Sequence, residues 1–202
     1  MKKIKYSNEP IGKVRVIKDF LPSSEEIAFK EKPLPILYEI SKTNTARYLL
    51  GEPGKKNLLV FGVNPSTATD EKYDQTIKLI KGYSSRIGFD GWIMANLYPQ
   101  RATHPCDLHP ESKFKYSYHS SNLAYIDWTI KNFNVNSIWC AWGNSIECRN
   151  YLKNCLNDIF DLPGMNGLKY FSIGLTYKMH PKHPLRMRYS TRLKKFTIRR
   201  PR

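Results

Sequence analysis

Acidic residues run out early in this chain: the last is Asp161, and no Asp or Glu follows through Arg202. Eleven Lys and Arg fall in that same stretch, so it carries +11 of the formal +16, whereas the first 161 residues hold 22 basic against 17 acidic side chains. A basic segment on a near-balanced body points to a polyanionic partner, nucleic acid before membrane. The bland alternative is a solvated basic surface with no partner. Apolar runs long enough to cross a bilayer are missing. No apolar core follows the basic opening Met1-Lys2-Lys3-Ile4-Lys5-Tyr6, so the sequence predicts a cytoplasmic protein without a secretory signal. Cysteine is scarce, and Cys106, Cys140, Cys148 and Cys155 form no CxxC pair. They read as reduced, buried thiols. His104, His109, His119 and His180 do not fall into metal-binding spacing with them, so neither metal nor cofactor is expected. Repeats, low-complexity tracts and domain-splitting linkers are also missing. The chain therefore reads as one α/β domain over 1–202, a monomer, with an ill-defined segment 1–44 and a basic C-terminal segment 185–202.

What is present is organised around Leu58-Leu59-Val60-Phe61-Gly62-Val63-Asn64-Pro65-Ser66-Thr67-Ala68-Thr69. The apolar, branched start predicts a buried strand. At Gly62 it gives way to a Gly/Asn/Pro/Ser loop, with Thr67 and Asp70 as a candidate capping box for a helix from Asp70 to Ile87. A strand that stops in such a loop and feeds a helix is where open α/β sheets place ligands; a well-capped turn with no ligand is the plainer reading. Upstream, Lys13-Val14-Arg15-Val16-Ile17 alternates like a strand and Pro33-Leu34-Pro35 interrupts the chain. Arg47–Leu50 and Asn57–Phe61 flank Gly51-Glu52-Pro53-Gly54 as a plausible hairpin. Downstream come a strand at Trp92–Ala95, a helix over Tyr116–Phe133, a strand at Ser137–Trp142, a helix from Asn144 or Ser145 to about Leu156, and a strand at Lys169–Gly174. This alternation predicts an α/β fold, a three-layer α/β/α sandwich with a mostly parallel central sheet. Its strand ends at Gly62–Pro65, Asn96-Leu97, Trp142–Asn144 and Gly174–Thr176 would share one edge.

Two resemblances meet at those strand ends. Val63-Asn64-Pro65-Ser66-Thr67-Ala68, Asp74-Gln75-Thr76-Ile77, Asn96-Leu97-Tyr98-Pro99-Gln100-Arg101-Ala102-Thr103, Ala141-Trp142-Gly143-Asn144, Gly174-Leu175-Thr176 and His183-Pro184-Leu185 together resemble the bacterial and phage family called domain of unknown function 1643, over roughly residues 45–190. That resemblance implies no particular activity. More distantly, Gly62-Val63-Asn64-Pro65 resembles the Asn version of the first motif of the uracil-DNA glycosylase superfamily, as in its mismatch-specific members. Asn96, Ala141-Trp142-Gly143 and His183-Pro184 follow in that superfamily's order. Leu185 stands where the superfamily has Ser, and the Tyr-His of the uracil-specific first motif is absent.

The superfamily resemblance implies a DNA-acting N-glycosylase that flips and excises a damaged, mismatched or modified base. Asn64 would place the attacking water, Asn96 would hydrogen-bond the base, and Leu185 or Met187 would wedge into the duplex. His183 can donate to a base oxygen, and Asp74 can supply a carboxylate if its helix turns it inward. Gly62, Val63, Pro65 and Ser66 would frame the base with Asn96; Tyr73 can stack on it, although core packing is the commoner use of such a ring. Arg101, Thr103, Lys178, Arg186, Arg188, Arg192, Lys194 and Lys195 are the candidate contacts to a nucleic-acid backbone. The alternatives are a non-catalytic reader of a modified base or nucleotide, and a small-molecule nucleotide N-glycosidase.

Overall fold

The computed structural model describes residues 36–185, 187, 188 and 190–198. The expected strand at Lys13–Ile17, the Pro33-Leu34-Pro35 interruption, and Arg186 lie outside the described residues. Seven strands, β1 (Leu37–Ile40), β2 (Arg47–Glu52), β3 (Asn57–Gly62), β4 (Gly91–Asn96), β5 (Val135–Cys140), β6 (Lys169–Ser172) and β7 (Lys194–Lys195), form one sheet in the order β1-β2-β4-β3-β5-β6-β7. Three α-helices are interleaved with them: α1 (Gln75–Arg86), α2 (Tyr116–Asn132) and α3 (Tyr151–Phe160).

The α/β class holds, but the sheet is mixed rather than mostly parallel. β4-β3-β5-β6 run parallel, whereas β1/β2, β2/β4 and β6/β7 are antiparallel. The parallel part is the stretch in which strands alternate with helices, as crossover connections require. β1 and β2 follow one another with no helix between them, and none stands between β6 and β7 among the described residues, so helix–strand alternation carries no signal for these strands. The expected hairpin of 47–50 with 57–61 is likewise corrected: β2 pairs with β1 and β4, and β3 lies beyond β4. Every residue of β2 and β3 is buried, so neither strand shows the alternation that would have fixed a partner or register.

Successive residues of β3 point to opposite faces. Leu58 and Val60 join Ile77, Ile80 and Tyr83 of α1 with Trp92, Met94 and Trp139 in one apolar cluster. Leu59 and Phe61 join Leu123 and Ile126 of α2, Leu152 and Ile159 of α3, and Ile138 in another. Helix α1 starts at Gln75, not Asp70: the Asp74 carboxylate accepts from the Ile77 N–H and caps it. Between β5 and α3 the chain makes a 3-10 helix over Gly143–Cys148, so α3 begins at Tyr151 instead of Asn144 or Ser145.

One further expectation changes. Cys106 and Cys148 form a disulfide across 42 positions, while Cys140 and Cys155 are free and buried. The pair is made by two short 3-10 helices that meet only in the folded chain, and local spacing cannot show it. Described residues of the basic C-terminal segment are tied to the body of the fold. β7 adds to the edge of the sheet, Tyr83 donates to the Thr191 carbonyl at 2.6 Å, and Phe196 and Ile198 pack on the α2/α3 cluster. Among the described residues, no helix is long and apolar enough to cross a membrane.

Candidate functional site at the end of the parallel strands

β3 and β4 stop side by side, with Gly62 paired to Asn96. The following loops are stitched together by backbone bonds: Leu97 to the Gly62 carbonyl at 2.9 Å, Tyr98 to Val63 at 3.0 Å, and Ala102 to Pro65 at 3.0 Å. Gly62 leaves room beside Asn96: a Cβ there would lie 3.0 Å from Asn96 Oδ1 and 2.6 Å from Met94 Cε, the movable end of a flexible side chain. Asn96 is fully buried, yet neither its Oδ1 nor its Nδ2 has a hydrogen-bond partner. A buried amide left unpaired costs about 1–3 kcal/mol, so its retention needs a reason beyond packing. Its own carbonyl is pinned by Asn122 Nδ2 at 2.8 Å.

Asn64 is half-buried on the first loop. Its Nδ2 donates to the Ala102 carbonyl at 2.7 Å and to Pro65 at 3.0 Å, tying the two loops together. With the NH2 so engaged, the amide oxygen is the atom free to accept from a water. Asp74, at the cap of α1, is half-buried and acts electrostatically on both His183 and Arg47.

His183 reaches the site from the far C-terminal side of the fold. Gly143 carries φ +60, and a Cβ there would sit 3.5 Å from His183 Cβ, so glycine suits that backbone turn and leaves room for the imidazole. The Gly143 N–H donates to the Pro181 carbonyl at 2.8 Å, fixing the approach of this segment. By surface area His183 is exposed, yet enough protein surrounds its ring that desolvation lowers the pKa below the ordinary 6.5, with Asp74 opposing. Its Nδ1 accepts from the Leu185 N–H at 3.1 Å. An Nδ1 that accepts carries no proton, so the ring is held neutral with its proton on Nε2.

Arg101 packs around the same loops. It donates to the carbonyls of Ser66 (2.8 Å) and Ala68 (3.2 Å), to Asn44 Oδ1 and to Tyr38 Oη. Sequence reasoning missed Arg47. Only 2% exposed, it also donates to Ala68, at 2.7 Å, and its Nε has no partner. Burial, then the neighbouring Arg101, lower its pKa to about 10. An arginine opening the strand-like run Arg47-Tyr48-Leu49-Leu50 was the available signal, since guanidinium groups are rarely buried without a counter-charge.

Other candidates stand elsewhere. The Tyr73 hydroxyl donates to Glu52, which also receives Lys81, and its ring meets Trp92 edge-on. Lys178 pairs with Glu147. Thr103, Arg188, Arg192, Lys194 and Lys195 are exposed. Leu185 is exposed, whereas Met187 packs against the α1-side cluster. Among the described residues, no group of three or more His, Cys, Asp or Glu side chains is placed to hold a metal ion.

No curated protein and no solved structure matches this chain. A family model does match, over residues 47–185, a span that contains both stitched loops, Gly143 and His183. The chain belongs to the family described as Protein of unknown function (DUF1643).

Proposed function

We propose that the chain is a DNA-acting N-glycosylase-like protein that flips and excises a damaged, mismatched or modified base, on a uracil-DNA-glycosylase-like three-layer sandwich. The observation that carries this reading is the unpartnered, fully buried Asn96 amide at the end of β4, beside Gly62. One side-chain amide offers a donor and an acceptor together, which is what the edge of an extruded base requires.

In this reading a water held by Asn64 attacks the anomeric carbon. The C–N bond breaks, its electron pair leaves with the base, and the water proton passes to the Asp74 carboxylate. Neutral His183 donates from Nε2 to the base oxygen that gains charge, without having to give up its proton. Arg101 and Arg47 add positive potential near the flanking phosphates. One observation favours the non-catalytic reader: the Asn64 NH2 is already engaged by two loop carbonyls, as suits a residue that only shapes the pocket.

Abasic-site formation on oligonucleotides carrying uracil, hypoxanthine, mismatched or modified pyrimidines tests the proposal. Cleavage of one substrate is expected, with Asn64→Ala lowering turnover by orders of magnitude and leaving binding nearly unchanged. Binding with no cleavage on any substrate decides for the reader. Release of a base from free nucleotides alone decides for a small-molecule N-glycosidase.

A further inference from the structure

A cavity of about 580 Å³ opens at the same sheet edge but on the α3 side. Trp142, Ile146 and Leu156 form its floor, all three in the α2/α3 cluster, and Phe196 meets Trp142 edge-on at 6.2 Å. Gly62 and Asn96 belong instead to the strand faces that turn toward α1, so this is a separate place on the molecule. Its size falls in the range of about 300–1,000 Å³ typical of small-molecule sites. We propose that it binds a nucleoside monophosphate unit, base against the Trp142–Phe196 floor and phosphate at Lys194.

The charges on its rim are unequal in a way that selects the occupant. Lys178 and His180 both engage Glu147. Lys194 forms no ion pair among the described residues; its backbone is held in β7 at the sheet edge, opposite Ser172 and on the same strand face as Phe196. An apolar aromatic floor with an uncompensated ammonium group at one side suits a planar ring joined to an anion. The hydroxyl-bearing Ser172 and Thr197 also line it. They offer hydrogen bonds that a base edge can use and an alkyl chain cannot, which argues against a fatty acid. The inference does not depend on glycosylase activity. The same unit can arrive as a free nucleotide or as one residue of a nucleic-acid strand.

Calorimetric titration of the full chain with AMP, GMP, CMP and UMP, their nucleosides, and inorganic phosphate provides the test. At least one nucleotide is expected to bind saturably and at least tenfold tighter than its nucleoside or phosphate. Lys194→Ala is expected to bring that affinity down to the nucleoside level, while Lys195→Ala, on the opposite strand face, and Asn96→Ala leave it unchanged. The nucleotide should also quench tryptophan fluorescence, and Trp142→Phe should remove the quenching. A short single-stranded oligonucleotide that displaces the nucleotide identifies a strand residue as the source; one that does not identifies a free nucleotide. The proposal is overturned if no nucleotide exceeds its nucleoside and phosphate, or if Lys194→Ala binds normally or Asn96→Ala abolishes the binding while melting curves show the variants folded.

Discussion

Asn96 and Asp74 allow function to be separated from folding one side chain at a time. Because both amide atoms of Asn96 are buried and unpartnered, replacing it with the similarly sized Leu removes a desolvation penalty. Asn96→Leu is expected to leave the unfolding free energy unchanged or raise it by about 1 kcal/mol, measured in urea, while abolishing base discrimination. A loss of stability would mean that the amide is structural. Asp74 both caps α1 and faces His183. Asn retains a capping oxygen, so Asp74→Asn should keep the helix, remove the carboxylate, and lower the His183 pKa still further, as read by NMR titration. The sign of the pH dependence follows from that depressed value. Between the folded pKa and the unfolded 6.5 the unfolded chain binds more protons. The contribution of His183 to stability is therefore complete above 6.5 and is lost as pH falls through the folded pKa. Any step needing its neutral Nε2–H should fade in the same direction.

The elements legible in sequence were those whose signals are local. β3, β4 and β5 announce themselves as short apolar runs, and the spacing in Tyr116–Asn132 gives α2 nearly to the residue. The stitched loops after β3 and β4 were legible as a candidate site because Gly, Asn and Pro cluster where each strand stops. What stayed hidden is non-local: the partners of β2, the docking of β7, the burial of Arg47, and the meeting of Cys106 with Cys148. The last of these has a measurable consequence. The disulfide closes a loop of 42 positions, and the chain-entropy argument gives it about 4 kcal/mol of stabilisation. Arg149 reinforces the junction by donating to the carbonyls of Cys106, Leu108 and His109. Dithiothreitol, or Cys106→Ser, is expected to lower the urea midpoint accordingly. Thiol titration of the unfolded chain should rise from two groups to four on reduction. Four groups without reductant, with an unchanged midpoint, would show that the link does not form.

At the scale of the whole molecule, charge is divided along the chain more sharply than the fold is. The residues after Asp161 carry eleven of the 33 Lys and Arg and no acid, yet β7, Thr191, Phe196 and Ile198 among them are tied to the body of the fold. A basic strand fixed at a sheet edge presents its cations at set positions, so each that meets a phosphate releases counterions in a defined register. Neutralising Arg192, Lys194, Lys195, Arg199 and Arg200 together is expected to weaken DNA binding steeply. It should also make the slope of log K against log salt less negative by up to about 4–5, since each lost phosphate contact changes it by roughly 0.9. Arg47 and Arg101 give the contrasting case. They donate to backbone carbonyls of the loop after β3, so Arg101→Ala should disturb the candidate site and change the slope by no more than about one contact's worth. Affinity measured from low to physiological salt, with circular dichroism confirming that each variant is folded, separates the two roles. Equal slopes for the five-residue variant and the parent chain would show that the basic segment is a solvated surface and that any nucleic acid is held elsewhere.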